Sequence, residues 1–104
     1  MISQPRMEKA LTYLAETDEE AAELQADMER NEFKAKAVKD ALIKHGSGGL
    51  GDRTAAAGCE QAYMDAMEAY FQSVAAFRAV ANKRHTEEIV IDVYRTLEAS
   101  RRKA

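Results

Sequence analysis

Cysteine and proline each occur once in these 104 residues, and glycine only five times. With Cys59 alone, no intrachain disulfide framework exists, which points to a reducing compartment. The single proline, Pro5, excludes collagen and proline-rich linkers. No apolar run approaches the ~18 residues needed to span a bilayer. Met1 to Glu16 also carries no continuous apolar stretch of the secretory kind. Strand signals are nearly missing. The one β-branched cluster, Ile89-Val90-Ile91 with Val93, sits inside a helical pattern. A formal net charge of −3 gives no global case for nucleic-acid binding.

Ala, Glu, Lys, Leu, Met and Gln dominate, all strong helix formers. With 46% hydrophobic residues the chain can bury a core. Its length fits one domain, so the expectation is a single helical domain over 1–104.

Pro5 suits the first turn of a helix, and Met7, Leu11 and Leu14 give a short first helix over about 5–16. Thr17-Asp18-Glu19-Glu20 fits a capping box, opening a second helix over about 18–45, either after a tight corner or as a kinked continuation of the first. That helix carries Ala21, Leu24, Met28, Asn31, Ala35, Val38 and Leu42, a heptad seam with a polar interruption at Asn31. Gly46-Ser47-Gly48-Gly49-Leu50-Gly51 cannot sustain a helix and forms a loop over 46–51. Asp52 or Thr54 caps a short turn through Ala55–Ala57, and a third helix runs over about 60–100. Its seam is Tyr63, Met67, Tyr70, Val74, Phe77 and Ala81. The stripe breaks at Lys83–Glu88 and resumes on a rotated face as Ile89/Val90, Val93 and Leu97. A rotated stripe needs its own partner, the short first helix or a second subunit, and self-association as a homodimer is expected through Val90, Val93 and Leu97.

Charge alternates in blocks. Met1–Glu32 holds 9 acidic and 3 basic residues, a net −6. The net is +3 for Phe33–His45, −3 for Gly46–Phe77 and +3 from Arg78 onward. Exposed pairs are worth at most ~1 kcal/mol each. Together they select antiparallel over parallel pairing of the long helices. The fold class is therefore all-α: an antiparallel, coiled-coil-like helical hairpin with a short N-terminal helix.

Chemistry-bearing patterns are weak. The glycine-rich loop follows a helix and precedes Asp52, whereas a phosphate-cradling loop follows a strand and ends in Gly-Lys-Ser/Thr. Cys59, His45 and His85 show no metal-ligand spacing. Glu16, Asp18, Glu19, Glu20 and Glu23 read as a solvated helix start. Neither catalytic residues, metal nor cofactor are expected. The basic positions Lys83, Arg84, Arg95, Arg101, Arg102 and Lys103 fit an acidic-partner or nucleic-acid contact, beside their plainer role at the negative end of a helix. Asn31 and Arg84 read as register devices, with Arg84 within reach of Glu20, Glu23 or Asp27 across the hairpin. Tyr63, Tyr70, Phe71 and Phe77 read as core or a dimer seam rather than base-stacking platforms.

Several segments carry a family resemblance: Ala10-Leu11-Thr12-Tyr13-Leu14-Ala15-Glu16-Thr17-Asp18, Asp52-Arg53, Asn82-Lys83-Arg84 and Tyr94-Arg95-Thr96-Leu97-Glu98-Ala99-Ser100-Arg101-Arg102-Lys103-Ala104. Through them the chain resembles a family of small helical phage and prophage proteins. These are encoded among genes for DNA recombination, annealing and single-strand binding. The resemblance implies a non-enzymatic phage accessory protein in the cytoplasm of the host bacterial cell, away from membrane. Its partner would be a protein of recombination or replication. Alternatives are inhibition of a host-defence nuclease or CRISPR complex, and nucleic-acid binding by the basic C-terminal helix.

Overall fold

A computed structural model describes residues 1–103. Ala104, the last residue of the tail segment above, lies outside the described residues. Three helices account for nearly all of it: α1 (Gln4–His45), α2 (Leu50–Cys59) and α3 (Gln61–Lys103). No strand occurs among the described residues, and none of their helices is long and apolar enough to cross a membrane.

Of the two expectations at Thr17, the tight corner with a new helix start does not occur, because α1 is continuous from Gln4 to His45. Thr17 is not an N-cap. Its hydroxyl donates to the Tyr13 carbonyl one turn back, at 2.7 Å, as a threonine inside a helix does rather than one capping its start. Nothing from Glu16 to Glu20 obliges a stop, since neither glycine nor proline is present. The actual N-cap is Ser3, whose hydroxyl accepts from the Arg6 N–H at 3.2 Å, with Pro5 in the first turn. The buried stripe also differs from the expected Met7/Leu11/Leu14. Leu11 is 44% exposed, whereas Ala10 is fully buried. The inward positions run Met7, Ala10, Leu14, Thr17 and Ala21, at alternating spacings of three and four.

The described chain divides into two compact units. The terminal unit combines Met1–Ala22 with the chain from Arg78 onward, and the loop unit is Glu23–Phe77. In the terminal unit Arg6 meets Glu87 while Asp18 meets Arg84, so the two segments run antiparallel. Its inner positions are Ala10, Glu87 and Ile91, with Tyr94 and Leu14 half-buried.

In the loop unit Lys39 lies over the Tyr63 ring, 5.3 Å from its centre, while Arg53 reaches Ile43, so this pairing is antiparallel as well. Ala35 and Ala57 are its buried residues, and Leu24, Met28, Val38, Leu42, Tyr63, Met67, Tyr70, Val74 and Phe77 are half-buried around them. Phe71, expected in the core or a dimer seam, is 55% exposed and so lies outside this unit's core. Gly46 follows the last residue of α1. A Cβ there would sit 3.1 Å from the Leu42 carbonyl oxygen and 3.2 Å from Arg53 Cγ. Arg53 donates from Nη1 to the Ile43 carbonyl at 3.3 Å, satisfying an orphan acceptor at the negative end of α1. Gly48 takes φ +93°, open only to glycine at little cost. The expected short turn at 55–57 is longer: a ten-residue helix capped at Gly49 rather than by Asp52 or Thr54. It ends at Cys59, where Glu60 is extended and its N–H donates to Ala57 O at 3.2 Å.

Candidate protein-interaction surface

In the terminal unit, polar side chains occupy seam positions that apolar residues hold elsewhere. Arg6 Nη2 donates to Glu87 Oε1 at 2.9 Å, and Arg6 Nη1 lies 2.7 Å from Oε2. The second contact is an ion contact without hydrogen-bond alignment, which leaves Oε2 short of a good donor. Its immediate neighbours cover the Glu87 side chain to 12% exposure, while that of Arg6 is 40% exposed. Two helices make only a thin layer, so water still screens the pair. The hydrogen bond from Arg6 holds the Glu87 carboxyl below the usual glutamate range against the opposing effect of burial, with the positive charges of Arg6 and Lys83 adding to it. The same hydrogen bond raises the Arg6 guanidinium.

One turn away, Arg84 Nη1 donates to the Leu14 carbonyl at 2.8 Å and to Thr17 Oγ1 at 2.7 Å, while Nη2 donates to Asp18 Oδ1 at 3.2 Å. The expected partners Glu20, Glu23 and Asp27 are not the ones it uses; Asp27 pairs with Arg30 on its own helix. Lys83 Nζ sits 4.6 Å above the centre of the Tyr13 ring, a cation–π contact.

Two of the six basic positions singled out from the sequence, Lys83 and Arg84, are thus engaged within the terminal unit. Arg101 donates to Glu98 at 2.8 Å on the surface of α3. Arg95, Arg102 and Lys103 are exposed and enter no ion pair among the described residues. The six do not converge into one cationic site.

The stripe expected to self-associate separates in the same way. Val90 is half-buried, whereas Val93 and Leu97 are 40% and 38% exposed, with Ile89 at 47%. Ile89, Val93 and Leu97 stand four residues apart and share one face. Leu97 also lines a cleft of about 340 Å³ where Met1, Ile2 and Gln4 lie across Tyr94. The inward face of α3 in this unit is instead Arg84, Glu87, Ile91 and Tyr94. That is why the apolar letters here point outward.

Cys59 is an exposed free thiol, and among the described residues no group of three or more His, Cys, Asp or Glu side chains could hold a metal ion. Comparison with protein-family models, curated proteins and solved structures finds no match.

Proposed function

We propose that this chain is a non-enzymatic phage accessory protein that binds a protein partner in DNA recombination or replication. The carrying observation is the Ile89–Val93–Leu97 face of α3, an apolar stripe at helical spacing whose side chains are 38–47% exposed. Contiguous exposed apolar surface of this kind favours a protein ligand. Arg95 and Arg102 fall on the opposite side of α3, so the stripe offers a partner an apolar contact rather than a cationic one. Engagement of Lys83 and Arg84 inside the unit favours a protein over a phosphate backbone, because it removes two of six cations from any backbone contact.

The test mixes the purified chain with phage recombination and single-strand-binding proteins, and in parallel titrates salt against single- and double-stranded DNA by fluorescence anisotropy. A stable complex that Leu97→Asp abolishes, with no DNA shift near physiological salt, supports the reading. DNA binding that falls steeply with salt and is indifferent to Leu97→Asp overturns it.

A further inference from the structure

A helix whose charge changes sign at one exposed aromatic residue is complementary to a second copy of itself running the other way. In the loop unit, α1 has this form. Phe33 is 73% exposed, the largest exposure of any large apolar side chain inside a helix here. Before it, Glu23, Asp27, Glu29 and Glu32 outweigh Arg30 for a net −3. After it, Lys34, Lys36, Lys39 and Lys44 outweigh Asp40 for a net +3. Ala26 and Ala37 share the face of Phe33 at heptad spacing and leave room for a close approach. Shallow hollows flank the ring on both sides. One is bounded by Ala26 and Lys34; the other, of about 460 Å³, is bounded by Ala37, Val38, Ala66 and Ala69.

We infer that this face of α1 pairs antiparallel with the same face of a second copy, about a two-fold axis near Phe33. An isologous interface requires one patch to complement itself, and this patch does. The two rings meet at the axis, where aromatic pairs favour offset or edge-to-face packing. Glu29 of each copy falls beside Lys36 of the other, a contact the two-fold axis makes twice. Self-association at Phe33 stands beside the expected seam of Val90, Val93 and Leu97, and substitutions at Phe33 and Val93 tell the two apart. The inference uses a different face from the partner-binding reading and stands or falls separately from it.

Sedimentation velocity on the full chain tests it. The expected result is a species of twice the 11.6 kDa chain mass. Phe33→Asp should raise the dissociation constant at least about tenfold, as loss of a central aromatic anchor does, with helicity unchanged by circular dichroism. Val93→Asp should leave the dimer intact. Glu29→Lys and Lys36→Glu should each weaken it, and the two together should restore it by reversing the pair. A wild-type monomer at all concentrations overturns the inference, as does a dimer that survives Phe33→Asp. A double charge reversal no better than the single ones does the same.

Discussion

The two units pair the same two helices in the same antiparallel sense with opposite chemistry. In the loop unit the seam is aliphatic and aromatic, from Leu24 to Leu42 on α1 and from Tyr63 to Phe77 on α3. In the terminal unit it holds Arg6, Thr17, Arg84 and Glu87, with Ala10 and Ile91 as its buried apolar residues. Apolar seams gain from area removed from water and tolerate many registers. Ion pairs and hydrogen bonds gain less after desolvation, yet they accept one alignment only. The contrast assigns most of the stability to the loop unit and the choice of register to the terminal unit.

The sharpest way to break that contrast is to remove the terminal unit's one buried branched side chain. Ile91 is 5% exposed, and Ile91→Ala should cost about 2–4 kcal/mol, read by urea denaturation. A cost below about 1 kcal/mol would mean that the polar layers carry this unit alone. Next comes Arg84→Met, which keeps the stem but deletes three polar contacts to Leu14, Thr17 and Asp18. The expected cost is about 1–2 kcal/mol, together with broadened amide signals from Thr12 to Ala22 as the register loosens. Gly48→Ala, in the loop unit, places a side chain at φ +93° and should cost about 1 kcal/mol. It should leave amide signals in the terminal unit unmoved.

The same contrast explains what could be read from residue letters. Helix as the only element type, the loop-unit seam, the stop at Gly46 and the antiparallel sense were all legible, because each rests on periodicity, glycine content or charge blocks. The terminal-unit seam was not, because its inward positions are Ala10, Thr17, Arg84 and Glu87, which hydrophobic periodicity does not count. Leu11 drew the stripe to the wrong face, and a good capping-box pattern at Thr17 lost to an uninterrupted run of helix formers. The outward Val93 and Leu97 were found as apolar letters off the seam. Phe33 carried the same kind of signal, an aromatic off the seam at the point where charge changes sign, but it shows only when charge and periodicity are read together.

Acid offers the finest division between the units. The Glu87 carboxyl is held below the usual glutamate range by the Arg6 hydrogen bond. A carboxyl lowered in the folded state stabilises fully above its unfolded value, and that contribution is lost as pH falls through the lowered one. Stability should therefore decline from the ordinary glutamate range downward, within the terminal unit. On the alkaline side Arg6 gives nothing to lose in any working range, because its guanidinium is raised further. Hydrogen exchange should show protection in Met7–Thr17 and Lys83–Tyr94 falling before that in Leu24–Leu42 as pH drops, after correction for the intrinsic rate. In Glu87→Gln the two regions should lose protection together, because no proton remains to be taken up at that position. If Glu87→Gln kept the wild-type order of loss, another carboxyl would be responsible, and the register role assigned to Arg6 and Glu87 would fall to Arg84 and Asp18.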